Sequence, residues 1–247
     1  MKQIVTQFAE FHHNKKIQTS VMDLLKSSEA EPKTCLESFL CGWWKDIKSS
    51  KDSIEDSLTR EDYHKIFDEF TKMYFFDGFE DYWLDLLPTD GDKVIAHTDA
   101  QETNLLMQNP SPGKKASCKV MIIDYEYAGL VERSWDLANY YTETMLSNCE
   151  YDSYPWVELF EDNQMHLDEL KTLVRCYVDA VQNLGGPEIE YDKLLSETKK
   201  MIVAINYYWG AWAIVSLDID KINEDDLYFP AAKHRMRLIE IGMQLHK

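Results

Sequence analysis

His97, Asp99, Asn104 and Asp124 are the residues of this chain whose types and spacing could do chemistry together. Three lie in one run, His97-Thr98-Asp99-Ala100-Gln101-Glu102-Thr103-Asn104, and the fourth ends an apolar stretch, Met121-Ile122-Ile123-Asp124-Tyr125-Glu126. Phosphoryl transfer to a hydroxyl needs a carboxylate that accepts or orients the hydroxyl proton, and oxygen ligands that hold Mg²⁺ against the phosphates of a nucleotide. An Asp, an Asn five positions later and a second Asp after a hairpin supply those parts in order. A second place with chemical content is Tyr207-Tyr208-Trp209-Gly210-Ala211-Trp212, where two tryptophans at i and i+3 share a helical face. A quaternary ammonium offers no N–H, so a site recognises it with aromatic faces and nearby carboxylates. Taken alone, such a tryptophan pair on a late helix reads as core. Tyr228 and Phe229 follow as further aromatics of either pocket or core.

These side chains must be held by strand ends and the loop between them. Val94–Ala96, Asn104–Met107 and Lys119–Ile123 read as strands, the last two joined through the polar, turn-rich segment 108–115 as a hairpin. Around them apolar residues recur at helical spacing, as in Tyr63, Ile66, Phe67, Phe70, Met73 and Tyr74, or Leu167, Leu170, Leu173, Val174, Tyr177 and Val181. Further helices are expected near 2–13, 35–48, 135–146, 195–216 and 229–245, punctuated by Pro32, Pro155, Gly185-Gly186-Pro187 and Pro230. The predicted fold class is mainly α with a small β hairpin cluster.

Composition narrows the partners. In 247 residues, Lys+Arg 26 against Asp+Glu 44 leaves a formal net charge of −18. That balance argues against nucleic acid and against an anionic membrane surface, whereas it concentrates a cationic small molecule. No apolar run approaches the roughly 18 to 20 residues of a membrane span, and the start has no signal-peptide core, so the expectation is a cytoplasmic protein without membrane insertion. Five cysteines without metal-ligand spacing read as reduced thiols, buried as small hydrophobes. Glu224-Asp225-Asp226 reads as a solvated acidic face.

The order of His97, Asp99, Asn104 and Asp124 resembles the catalytic loop and following metal-binding Asp of protein kinases. The wider segments HTDAQETNLL and IIDYEYAGLVERSWDLANYYTE more closely resemble the two signatures of choline/ethanolamine kinases, in which HNDxQxxN precedes IDFEY, an Arg, and an Asp that opens a helix with Asn and Glu. The resemblance implies a protein-kinase-like fold and the C-terminal lobe of the choline kinase fold over 1–247, with a catalytic and metal segment at 93–145 and amine-pocket helices at 165–247. It implies Mg²⁺- and ATP-dependent phosphorylation of choline or ethanolamine, the first step towards the corresponding phospholipids. It assigns Asp99, Gln101 and His97 to the catalytic set, with His97 holding the loop backbone, and Asn104, Asp124 and Glu126 to the metal. Trp209, Trp212, Glu143, Tyr127 and Tyr151 would bind the substrate. Arg133 and Asp136 would support the segment as a buried pair or a helix cap.

Two departures stand out. Where the family places an acidic-aromatic pair after the helix holding Glu143, this chain has Ser147-Asn148 and then Cys149-Glu150-Tyr151, which leaves choline against ethanolamine open. Residues 1–90 contain only Gly42 and Gly78, no glycine-rich loop and no strand ending in Ala-x-Lys, while Val5–His12 fits the family's first helix after the hinge. The expectation is therefore an absent N-terminal lobe and a chain weakly active or inactive by itself. The alternative is a non-catalytic module that binds an amino alcohol or dimerises with a kinase, as a homodimer or with an N-lobe partner.

Overall fold

Helical periodicity becomes helix over most of the chain in the computed structural model, which describes residues 1–27, 35–108, 120–147, 157–159 and 166–245. In chain order the elements are α1 (Lys2–His12), α2 (Lys15–Ser27), α3 (Cys35–Ser57), α4 (Glu61–Tyr74), α5 (Phe79–Leu86), β1 (Lys93–Ala96), a 3₁₀ turn (Glu102–Asn104), β2 (Leu105–Met107), β3 (Val120–Ile122) and β4 (Gly129–Glu132). There follow α6 (Ser134–Glu143), β5 (Leu146–Ser147), β6 (Glu158–Leu159), α7 (Leu167–Asn183), α8 (Tyr191–Val215), a second 3₁₀ turn (Ile219–Lys221) and α9 (Tyr228–Gln244). The chain divides into two units, one of Met1–Thr34, Asp90–Thr144 and His166–Thr198, the other of Cys35–Thr89, Met145–Met165 and Lys199–Lys247. Among the described residues no helix is long and apolar enough to cross a membrane.

In the first unit α1 packs on α7 and touches β1 and β3. Its buried residues, Val5, Phe8, Ala9 and His12, fall at i, i+3, i+4 and i+7, so the buried stripe follows from helical spacing. α7 answers with Leu170, Leu173, Val174, Tyr177, Ala180 and Val181. It stops where Gly185 takes φ 70°. The Gly186 and Gly185 amides then close onto the carbonyls of Val181 (2.9 Å) and Gln182 (3.0 Å), a Schellman ending that favours glycine at the left-handed position. β2 and β3 form the expected hairpin, Leu105 opposite Ile122, with Val120 and Ile122 buried and Met121 exposed between them. Residues 109–119, which hold most of the expected connecting loop, lie outside the described residues. β1 pairs instead with β4, a strand that the sequence reading did not anticipate. On its other side β1 is capped by Gln18, whose side chain accepts from the Ile95 amide (2.9 Å) and donates to the Ile95 carbonyl (3.2 Å).

The second unit is built on the later part of α8, buried almost without interruption from Met201 to Ala211, as expected of a helix apolar on all sides. α4 packs on α9 and presents Tyr63, Ile66, Phe67, Phe70 and Tyr74 to the core. The expected helix at 35–48 runs on to Ser57, and α2, α5 and the β5–β6 pair were not anticipated. Two readings need correction. Asp226 is not part of a solvated face: its Oδ1 accepts from the amides of Tyr228 (2.9 Å) and Phe229 (3.1 Å) and caps α9, while Asp225 pairs with Arg60 at 2.6 Å. Cys41 is exposed, not buried, and Cys176 is half-buried; both are free thiols.

Candidate active site

Beyond β1 the chain turns sharply through His97, Thr98 and Asp99. Thr98 (φ 68°) and Asp124 (φ 64°) are the only non-glycine residues of positive φ among those described; Thr98 lies in this turn and Asp124 just after β3. For a β-branched residue that backbone is strained and persists only where its surroundings hold it. Thr98 is held from three sides. Its amide donates to Asp136 Oδ1 (2.8 Å), its hydroxyl to the Tyr127 carbonyl (2.6 Å), and its carbonyl accepts from Trp135 Nε1 (2.9 Å).

The turn delivers Asp99 into a buried position where Oδ2 accepts from Asn104 Nδ2 (2.9 Å) and Gln101 Nε2 (3.2 Å). Asn104 Nδ2 also donates to the Asp99 carbonyl (3.0 Å). With its nitrogen committed, Asn104 has Oδ1 to offer a cation. Ile123, the residue before Asp124, is clamped at both ends: its amide donates to the Asn104 carbonyl (3.0 Å) and its carbonyl accepts from His97 Nε2 (2.8 Å). The Asp99 amide donates to His97 Nδ1 (3.3 Å), so the proton of this buried ring sits on Nε2. Both ring nitrogens are thus spent on backbone, and His97 joins the Asp99 turn to the chain entering Asp124.

Behind the loop stands Asp136, wholly buried near the start of α6. Its Oδ2 accepts from the His97 amide (2.9 Å) and from His12 Nε2 (2.9 Å), and His12 Nδ1 meets Tyr177 Oη at 2.8 Å. Burial pushes the Asp136 carboxyl up, but the His12 hydrogen bond, the His12 and His97 rings and the His97 amide outweigh it and hold the group below the usual carboxylate range. Arg133 and Asp136 are not each other's partners; Arg133 Nη2 reaches Asp92 at 3.2 Å. His12 is the residue that sequence reasoning missed. Its signals were a polar side chain on the apolar stripe of α1 and its place at the end of the family's first-helix pattern, to which no role was given.

Trp209 and Trp212 belong to the second unit. Trp209 is buried and Trp212 half-buried, with ring centroids 5.8 Å apart and edge to face. Trp212 in turn meets half-buried Tyr228 at 5.8 Å. Phe229 is core, stacked on Tyr63 at 4.3 Å. Between the tryptophans, a side chain on Gly210 would overlap the Tyr74 hydroxyl, so packing requires a glycine there.

The family model for choline/ethanolamine kinases matches residues 1–240. The chain belongs to that family. Mouse choline kinase alpha is 25% identical over 135 residues, 52% of this chain and 29% of that protein. Rat ethanolamine kinase 2 is 26% identical over 150 residues, 60% of this chain and 35% of that protein. The chain thus spans about a third of the length of these curated relatives. The crystal structure of choline kinase from Cryptosporidium parvum Iowa II superposes with a TM-score of 0.63 at 16% identity, over 99% of this chain and 65% of that one, a likeness of protein-kinase-like fold.

The other residues that the family resemblance names fall as follows. Glu126 is exposed beside Asp124, Tyr127 is half-buried and lends its carbonyl to Thr98, and Glu143 is buried in α6. Tyr151 lies outside the described residues. The donors Asn104, Asp124 and Glu126 fit Mg²⁺, which usually takes one or two carboxylates and completes its shell with phosphate and water. Among the described residues no group of three or more His, Cys, Asp or Glu side chains is placed to hold a metal ion, and with Asn104 the site offers two carboxylates and an amide oxygen.

Proposed function

We propose that this member of the choline/ethanolamine kinase family serves Mg²⁺- and ATP-dependent phosphorylation of the hydroxyl of an amino alcohol, choline or ethanolamine. The observation that carries the reading is the linkage of Asp99 to Asn104 and, through Ile123, to the chain entering Asp124. Asp99 accepts the hydroxyl proton as the oxygen attacks, and Gln101 and Asn104 fix the carboxylate for that contact. Asn104, Asp124 and Glu126 would hold Mg²⁺, which when bound neutralises charge on the nucleotide phosphates. Trp209, Trp212 and Tyr228 are assigned to the ammonium end, with Glu143, Tyr127 and Tyr151 as further substrate-side groups. The acidic balance of the chain attracts the cationic alcohol.

One observation favours a second reading, in which the chain binds an amino alcohol or a partner kinase without catalysing transfer. Neither glycine of residues 1–90 is free to form a phosphate-covering loop, since Gly42 lies inside α3 and Gly78 precedes α5. Residues 1–247 by themselves are accordingly proposed to turn over slowly. The test is choline-dependent ADP release by the purified chain, with Asp99→Asn as its blank. Transfer chemistry predicts a loss of about a thousandfold in kcat, roughly 4 kcal/mol, with Mg·ATP binding retained. A variant keeping more than about a tenth of the wild-type rate would remove Asp99 as the base, and release no faster than the blank would favour the binding module.

A further inference from the structure

Asp124 and Glu126, the carboxylates proposed for the metal, are exposed on a short segment between β3 and β4, and that segment has to be fixed for the two to act together. We propose that Thr98 is a positioning residue for it: the Thr98 hydroxyl ties the turn carrying Asp99 to the segment carrying the metal carboxylates, so that base and metal keep one geometry. The inference deepens the phosphoryl-transfer reading and rests on it for the assignment of the metal ligands.

The segment is held at its front through Ile123 and through Tyr125, whose hydroxyl donates to the Ile122 carbonyl at 3.1 Å. Asp124 follows at φ 64°. The Ala128 amide then closes a turn over Glu126 and Tyr127 by donating to the Tyr125 carbonyl at 3.0 Å. At the rear of that turn the Tyr127 carbonyl accepts the Thr98 hydroxyl at 2.6 Å, towards the short end for a hydroxyl donor. Asp99 directly follows Thr98 and Glu126 directly precedes Tyr127, so this one bond joins the neighbours of the base and of a metal ligand.

A buried hydroxyl finds a carbonyl in most proteins, and the bond by itself would mean little. The backbone of Thr98 gives it meaning. Its amide is held by Asp136 Oδ1 (2.8 Å) and its carbonyl by Trp135 Nε1 (2.9 Å), adjacent and wholly buried residues of α6, so the turn is held on both sides without the side chain. A left-handed position between such partners suits glycine, asparagine or aspartate, whereas a β-branched residue is strained there. Strain of this kind gathers at functional sites, and what threonine adds over glycine here is the bond to Tyr127. With Thr98 only 1% exposed, water is poorly placed to replace that bond when it is lost.

The experiment compares Thr98→Ala with Thr98→Ser in the full chain. Both lack the branch, and they differ by the hydroxyl alone. The first readout is amide hydrogen exchange, followed by NMR in the metal-free chain. The Ala128 amide should exchange about fivefold faster in Thr98→Ala than in Thr98→Ser, the equivalent of about 1 kcal/mol. The second readout is Mn²⁺ binding, measured by relaxation of water protons, with Asp124→Ala as the blank for binding to other carboxylates. Thr98→Ala should hold the Asp124-dependent Mn²⁺ about threefold or more weakly than Thr98→Ser, and Thr98→Ser should stay within about twofold of the unsubstituted chain. Thr98→Val, which keeps the branch and loses the hydroxyl, should side with Thr98→Ala and serves in its place if that chain fails to fold. A hydroxyl with a purely structural task would quicken the exchange yet leave Mn²⁺ affinity the same in all variants. That result, or equal exchange in Thr98→Ala and Thr98→Ser, overturns the proposal. An unsubstituted chain that binds no more Mn²⁺ than Asp124→Ala overturns the metal assignment and this inference with it, an outcome distinct from Asp124-dependent binding that ignores the hydroxyl.

Discussion

Asp136 accepts hydrogen bonds from the amides of His97 and Thr98 and from His12 Nε2 in a fully buried position, so a single carboxylate holds the backbone that carries Asp99. An Asn at that position keeps the shape but turns an NH₂ toward donors. At least one of them is then left facing a donor, and an unmatched buried polar group costs roughly 1–3 kcal/mol. Asp136→Asn should lower the urea-unfolding free energy by about 2 kcal/mol, less whatever strain at Thr98 is released. A loss under about 0.5 kcal/mol would show that the carboxylate is dispensable to the loop. His97 has the same kind of task in miniature, with one nitrogen on the Asp99 amide and the other on the Ile123 carbonyl.

At the scale of elements, α8 places a tight packing point beside the tryptophans proposed to face the ammonium group. Gly210 is the point where α8 meets the fully buried Tyr74 of α4, whose hydroxyl donates to the Tyr207 carbonyl at 3.0 Å. Gly210→Ala drives a methyl group into that hydroxyl, and overpacking of this kind costs about 1–3 kcal/mol. Thermal melts should show the loss, and Tyr74→Phe in the same chain should restore part of it by removing the obstructing oxygen. Strict additivity of the two substitutions would rule out the clash as the cause. Two residues along, Trp212 is half-buried against Tyr228 and so has ring surface to offer. Trp212→Ala should raise KM for choline several-fold more than for ethanolamine, because a trimethylammonium group relies on aromatic faces whereas a primary ammonium turns to carboxylates. Equal rises would mean that the substitution acts through the cavity it leaves.

For the molecule as a whole, acid weakens the fold through groups held in their less protonated form. Burial, then the charges of Arg133 and His12, bring His13 down from 6.5 to about 4. Between those values the unfolded chain takes up a proton that the folded chain refuses, so this contribution is complete above about pH 6.5 and is lost as pH falls towards 4. Asp136, lowered as well, has the same sign in a window beginning below the ordinary 3.8. Asp226 and Glu197, which burial raises, work the other way, since the folded state protonates them first. His13→Gln separates the terms. The wild-type melting temperature should fall relative to that variant between pH 7 and pH 4.5, by a few degrees on the scale of about 1 kcal/mol. A constant difference across the range would assign no linked proton to His13.

Much of this was legible along the chain. The apolar spacing of residues 63–74 and 167–181 specified α4 and α7 because a helix needs only its own period to define a buried face. The HxD run, its Asn and the later Asp were legible as a group because short loops and a hairpin keep them close in sequence. Partners were not. Nothing in the spacing of His12 and Asp136, 124 residues apart, announces their hydrogen bond, which exists because α1 packs on α7 and against β1 and β3. Likewise Asp226 looked like one acid among three, and only the start of α9 beside it made it a cap. The sequence determined the helices of clear apolar period, the β2–β3 hairpin and which residues could do chemistry, since period and composition are local properties. Only the tertiary structure decided which buried polar group answers which, because that choice depends on what distant segments bring to the same place.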